Sequence, residues 1–323
     1  MEQSELEAFC RKTWGRTPDK LAFPGGAGRK TVVVSIREAD YVVSKRRSSG
    51  RAALEAEALR QLAHTDLVPQ LVLRDEDWIV QEFIHGERLT FHLERASPTQ
   101  RLEQTKRVAA GLLALQQAGT ASLLMKTAPK IGGRPGWVED FARMPEALAR
   151  DLGVNIGSYE PERLVPFLQN ERRVFVKWDS RPGNALVQRG GQILWFDWEH
   201  CGLGAPEDDL VWFFADESTP IVTEALASAL TATADAFDQD RTNVEQRFFN
   251  KSVLHSLFRL RLILKKKGDS PWWSARDVLQ NDRLGVTQPH VQRLCRRSVD
   301  WAQCTDACKP LLPLLERIWE TAL

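Results

Sequence analysis

A chain of 323 residues with 44 Lys and Arg against 43 Asp and Glu can bury an ample core, and its charge balance gives no footing for nucleic acid or a membrane surface. Five scattered cysteines, an odd number, argue against a disulfide framework and fit a reducing compartment. The acidic start, Met1 to Glu7, is unlike a secretory leader, and no apolar run approaches the roughly 18 residues of a membrane span, so a cytoplasmic protein is expected.

A helix is expected around Ser4 to Trp14, followed by a strand, a glycine loop and a second strand: Leu21 to Phe23, then Pro24 to Lys30 with Gly25, Gly26 and Gly28, then Thr31 to Ile36. Glycines allow close approach, and successive backbone N–H groups in such a loop can cradle phosphate oxygens. Tyr41 to Lys45 reads as a third strand. Arg51 to Ala63 reads as a helix with Leu54, Ala58 and Leu62 on one face. Glu57 lies on that helix with Glu55 as its rival, and Arg46 and Arg47 read as solvated loop charges. Val68 to Leu73 and Trp78 to Ile84 complete an antiparallel sheet of about five strands, which His85-Gly86-Glu87 ends.

From there the pattern is helical. Ser97 caps and Pro98 opens a helix with Leu102, Val108, Leu112 and Leu115 on one face, ending near Gly119. Met125 to Gly136 is the least periodic stretch and reads as an insertion that helps shape an acceptor site. Further helices are expected at Trp137 to Leu152, Glu160 to Leu168, Val244 to Lys267 with Leu254, Leu257, Phe258 and Leu262 inward and Gly268 at its end, and Pro310 to Ala322. Asp209 reads as the cap of a helix from Leu210 to Phe214. The six histidines show no ligand spacing.

The informative stretch is Val174 to Glu199. Its apolar runs Val174 to Val176, Ala185 to Val187 and Ile193 to Phe196 read as short buried strands, and Arg189-Gly190-Gly191 turns the second into the third. Such a hairpin brings Asn184 and Asp197 together at its open end, an amide oxygen and a carboxylate suited to Mg²⁺, which takes one or two carboxylates plus phosphate and water. Asp179, one loop away, is placed to act as base toward an attacking hydroxyl.

Lys177-Trp178-Asp179-Ser180-Arg181-Pro182-Gly183-Asn184, Phe196-Asp197-Trp198-Glu199 and Gly204-Ala205-Pro206-Glu207-Asp208-Asp209-Leu210 resemble the catalytic loop, metal loop and following segment of the aminoglycoside phosphotransferase and choline kinase family. The family's loop histidine is replaced by Lys177 and its glycine by Trp178. The resemblance implies an α+β, protein-kinase-like fold: a small antiparallel-sheet lobe over residues 1–84, carrying the glycine loop, and a larger, mainly helical lobe over 85–323. It implies that Lys45, steered by Glu57, grips the α- and β-phosphates of ATP, that backbone groups of Glu82, Phe83 and Ile84 read the adenine edge, and that Arg181 stabilises charge on the transferring phosphoryl group. The expected activity is transfer of the γ-phosphoryl group of ATP, with Mg²⁺, to a hydroxyl of a small molecule such as an aminoglycoside, amino alcohol or sugar. A catalytically silent nucleotide-binding regulator and a kinase-like protein nucleotidyltransferase are the alternatives. Acids after the metal loop, among them Glu199, Glu207, Asp208, Asp216 and Glu217, with Trp198 and Trp212, would attract an amine-bearing acceptor or form a solvated loop over core tryptophans.

Overall fold

A computed structural model describes residues 2–24, 30–169, 172–267 and 287–321. The loop glycines Gly25, Gly26 and Gly28, and Gly268, lie outside the described residues. Strands β1 (Lys20–Ala22), β2 (Thr31–Ile36), β3 (Ala39–Lys45), β4 (Leu71–Asp75) and β5 (Trp78–Glu82) form one antiparallel sheet in the order β1-β2-β3-β5-β4. Alternation in β2 buries Val32, Val34 and Ile36 on one face, against Leu6, Phe9 and Cys10 of helix α1 (Gln3–Trp14). Phe9 stacks on Trp78, ring centroids 4.3 Å apart, which fixes α1 on the sheet.

Helix α2 (Ser49–Leu62) is capped by the Ser48 hydroxyl, which accepts from Arg51 N at 3.3 Å. It packs Ala52 and Ala56 against Ile79 of the sheet while Ala58, Leu59 and Leu62 join the large core of the helical remainder, so it is wedged between the two. That remainder contains β6 (Glu87–Arg88), α3 (Leu89–Arg95), α4 (Pro98–Thr120), α5 (Leu124–Thr127), α6 (Trp137–Leu152), α7 (Val165–Leu168), α8 (Asp208–Phe214), α9 (Thr223–Ala236), α10 (Arg241–Lys267), α11 (Gln288–Gln303) and α12 (Leu312–Thr321). A capping box of Ser97 and Gln100 starts α4. The expected helix from Glu160 to Leu168 is instead a 3₁₀ turn, Pro161–Arg163, and the short α7, because Pro161 and Pro166 each lack the N–H that a longer helix would use. Leu262, expected inward on α10, is 40% exposed. Among the described residues no helix is long and apolar enough to cross a membrane.

Two small sheets sit beneath the five-stranded one. β7 (Val174–Val176) pairs with β10 (Gly202–Gly204), and β8 (Ala185–Val187) pairs with both β6 and β9 (Ile193–Trp195). β7 leads directly into the segment carrying Asp179, and the β8–β9 hairpin carries Asn184 at its entry and Asp197 just past its exit. The geometry of the site follows from these pairings.

Candidate active site

Asn184 and Asp197 lie at the open end of the β8–β9 hairpin, where Phe196 N donates to Asn184 O at 3.1 Å. The Asn184 amide turns its nitrogen toward Asp179, donating to the backbone oxygen at 2.9 Å and to Oδ2 at 3.0 Å. Its amide oxygen is therefore the atom left for a cation. Arg181 Nε donates to the other Asp179 oxygen, Oδ1, at 2.7 Å. The Asp179 carboxylate is thus held from both sides. Burial opposes charge on Arg181, but Asp179, Asp216 and Glu217 outweigh it and raise its pKa.

The backbone here is strained. Trp178, Asp179 and Asp197 have φ of 53°, 43° and 62°, a left-handed conformation that costs a non-glycine residue about 1–2 kcal/mol each. Asp209, expected as a helix cap, is what holds the first two: its carboxylate accepts from Lys177 N at 3.0 Å, Trp178 N at 2.8 Å and Gln116 Nε2 at 3.0 Å. It is 1% exposed and sits inside the first turn of α8, so its oxygens face the loop and not the helix start. Lys177 supplies the other restraint. Its ammonium, buried beside the Trp195 and Trp198 rings at 5.8 and 5.3 Å, donates to Asp197 O at 3.1 Å and Asp179 O at 3.4 Å, joining the two loops. Burial lowers its pKa, against the pull of Asp179, Asp197 and Asp209.

The expected pairing of Lys45 with Glu57 does not form. Lys45 Nζ is hydrogen-bonded to Glu5 of α1 and stands 3.8 Å from Asp77, while Glu57 accepts from Gln61 at 2.8 Å and lies 3.6 Å from Arg60. The reason is periodicity. Adjacent strand residues face opposite sides, and residues two apart on a helix are about 200° apart around its axis, so shifting both partners swaps the faces that meet. Arg46, expected to be solvated, is the buried cation, and Glu55 is its carboxylate: Nε lies 2.5 Å from Oε2 and Nη2 donates to Oε1 at 2.7 Å. Gln81 Nε2 at 3.0 Å also bonds Glu55, which is fully buried. Burial raises the Glu55 pKa against Arg46, whereas Arg46 is held charged because Glu55, Asp197 and Glu199 outweigh its own burial.

Arg46 also reaches across to the metal loop, with Nη1 3.0 Å from Asp197 Oδ1. That contact is an ion pair out of hydrogen-bond alignment, which leaves Asp197 Oδ1 buried without a hydrogen-bond donor. A carboxylate and an amide oxygen at one end of the same hairpin are the donor types that fit a hard cation. Burial would raise the Asp197 pKa, but Arg46, Lys177, His200 and Arg181 outweigh it and keep it below the usual carboxylate range.

Arg46, Arg181, Asn184 and Asp197 line one cleft of about 770 Å³ between the five-stranded sheet and the helical part, and Asp179 is bonded to two of them. Val33 and Val42 line it from above, Leu186, Leu194 and Phe196 from below, and Glu82, Phe83 and Ile84 at the back. Glu82 N and Phe83 N are already used, donating to Gln70 O at 3.1 Å and Asp40 O at 3.3 Å. Among the described residues, Ile84 N has no hydrogen-bond partner.

Of the acids beyond the metal loop, Glu207 and Asp208 are buried away from the cleft, whereas Glu199, Asp216 and Glu217 line it. Glu207 and Asp208 bind Lys251 at 2.7 and 2.8 Å, and Glu217 accepts from Arg259 through both its oxygens. Trp198 is fully buried in the core, and Trp212 faces a second cavity. Asp216 and Ser218 remain on the cleft wall, with His290 of α11 nearby. Of these groups, the helical pattern of the sequence points to Glu55 as the rival of Glu57; Arg46 and the anchoring role of Asp209 carry no local signal.

A small antiparallel sheet over a helical body, with a carboxylate loop and a metal-type hairpin meeting in the intervening cleft, defines a protein-kinase-like fold. The chain belongs to the phosphotransferase enzyme family, whose model matches residues 21–245. Solved structures show the same fold at low identity. An aminoglycoside-3'-phosphotransferase of type VIII is 20% identical with a TM-score of 0.51, over 78% of this chain and 99% of that one. An AMP-bound spectinomycin phosphotransferase is 12% identical with a TM-score of 0.56, over 83% and 92%. The macrolide 2'-phosphotransferase MphH from Brachybacterium faecium is 19% identical with a TM-score of 0.54, over 83% and 94%. No curated protein matches the chain.

Proposed function

We propose that this phosphotransferase moves the γ-phosphoryl group of ATP to a hydroxyl of a small molecule, and that the cleft divides a nucleotide lobe, residues 1–84, from an acceptor lobe, residues 85–323. The observation that carries the reading is the convergence of Arg46, Arg181, Asn184 and Asp197 on one cleft of a size suited to a nucleotide, with Asp179 hydrogen-bonded to both Arg181 and Asn184. The pairing of β6 with β8 supports a boundary just before Glu87. Val33 and Val42 facing Leu186 and Phe196 suit a planar base, and Ile84 N is the donor at its edge. In this reading Arg46, steered by Glu55, replaces Lys45 and Glu57 as the cation for the phosphates.

Asn184 Oδ1 and Asp197 Oδ1 would hold Mg²⁺, which supplies charge neutralisation on the phosphates when bound. Asp179 receives the proton of the acceptor hydroxyl, its carboxylate fixed by Arg181 and Asn184 so that the remaining lone pairs face the acceptor. Arg181, which lines the cleft and stays charged, contributes its remaining guanidinium N–H groups to the phosphoryl side. Asp216, Ser218 and His290 form the wall on which the acceptor would rest.

An ATP-consumption screen across aminoglycosides, amino alcohols, sugars and nucleosides tests the reading. On the acceptor it finds, Asp179→Asn should lower turnover by about 10²–10⁴ while metal-dependent stabilisation by ATP survives. Asp197→Ala should abolish that stabilisation in a thermal shift. Turnover retained in Asp179→Asn removes the base, and label from α-labelled ATP on the protein would replace phosphoryl by nucleotidyl transfer.

A further inference from the structure

Directly behind the catalytic loop lies a second cavity of about 430 Å³, which shares no lining residue with the nucleotide cleft. Its walls are Trp137 and Phe141 of α6, Trp178, Trp212 of α8 and Phe258 of α10. Trp137 stacks on Phe141 at 5.3 Å, and Trp178 meets Trp137 and Trp212 edge-on at 6.4 and 5.4 Å. The rings therefore form a continuous aromatic lining. Gly132, with φ of 64°, closes one end, where an added Cβ would lie 2.5 Å from the Trp137 ring.

The polar groups around this cavity define what it can take. Of the charged groups on the wall, Lys251 and Asp208 pair with each other, and the Arg173 guanidinium donates to the backbone oxygens of Ile131 and Leu203 at 3.3 and 3.2 Å. His255 is different. It is 5% exposed, its Nε2 has no hydrogen-bond partner among the described residues, and burial with the neighbouring Arg259 drops its pKa to about 3, so it is a neutral imidazole. His255 is thus a neutral ring on a wall made mainly of aromatic side chains, and cavities lined this way with a few polar groups are the usual form of small-molecule sites.

We infer that this cavity is a second small-molecule site, which takes a planar aromatic or heteroaromatic molecule packed against its ring lining. The site reports to the reaction centre through Trp178, whose chain neighbour is Asp179. Trp178 adopts a left-handed conformation that glycine would adopt without strain, and its ring completes the aromatic wall.

Ligand-observed ¹⁹F NMR with 5-fluoroindole on the full chain tests the inference, with saturating ATP as competitor. The expected result is saturable binding that ATP does not displace. Val138→Phe, which fills the cavity from its rim, and Phe258→Ala, which removes one wall, should each weaken binding at least tenfold in protein that still melts cooperatively. Three results would each overturn the inference: no saturable binding, displacement by ATP, or affinity unchanged in both variants.

Discussion

At the scale of single residues, the cleft is decided by which cation on the edge of β3 turns inward. Arg46 is buried on Glu55 and Asp197, while Lys45 is held by Glu5 on the outer side of the sheet. Arg46→Ala leaves Glu55 fully buried without its cation, and losing one partner of a buried pair costs about 3–5 kcal/mol. Lys45→Ala removes a partly exposed pair worth about 1 kcal/mol or less. Urea unfolding should separate the two variants by that margin, and ATP-dependent thermal stabilisation should disappear in Arg46→Ala only. Equal loss of nucleotide response in both would return the phosphate-binding role to Lys45.

At the scale of elements, the catalytic loop keeps its left-handed backbone because α8 and β7 hold it from below. Asp209 on α8 satisfies the N–H groups of Lys177 and Trp178, and Ser180 Oγ donates to Asp209 O at 2.8 Å. Asp209→Ala orphans two inward N–H groups, each worth about 1–3 kcal/mol when left unpaired. Stability should fall by that amount in denaturant titrations, and kcat should fall with nucleotide affinity little changed, since Arg46, Glu55 and the hairpin do not touch Asp209. Asp209→Asn keeps an acceptor oxygen and should recover part of both losses. A variant whose only defect is weaker ATP binding would contradict this assignment.

At the scale of the whole molecule, the C-terminal helices support the far wall of the cleft. Arg259 of α10 pairs with Glu217, and Arg297 of α11 donates to Asp216 O at 2.7 Å and Thr219 O at 3.0 Å. Both arginines lie beyond residue 245, where the family match ends. Burial opposes ionisation of Glu217, but Arg259 outweighs it and pulls the pKa from 4.5 to about 2. A depressed carboxylate binds its proton less readily folded than unfolded, so its stabilisation is complete above the unfolded value and is lost as pH falls through the folded one. The stability difference between the parent and Glu217→Gln should therefore be large at pH 7, about 3–5 kcal/mol for a broken buried pair, and should shrink between pH 4.5 and about 2. Urea midpoints across that range provide the check, and a difference that does not change with pH would remove the ion pair as its source.

The sequence by itself determined the protein-kinase-like fold class and the elements with strong local patterns, but not β6, β10, α3, α9 or α11. The alternation from Thr31 to Ile36, the short apolar runs of the β8–β9 hairpin with its glycine turn, and the capped start of α4 are local patterns, so local physics reads them. The same hairpin brings Asn184 and Asp197 to one end because register follows from turn and strand length. What only the tertiary structure decided are the long-range pairs. Whether Lys45 or Arg46 turns inward, and whether Glu55 or Glu57 meets it, depends on how α2 is rotated against β3, and neither pattern fixes that rotation. Asp209 becomes an anchor, and Lys177 a bridge between loops, only because β7 and β10 pair and bring segments some 20 to 30 residues apart within hydrogen-bond reach. A buried charge takes its role from the partner opposite it, and the fold supplies that partner.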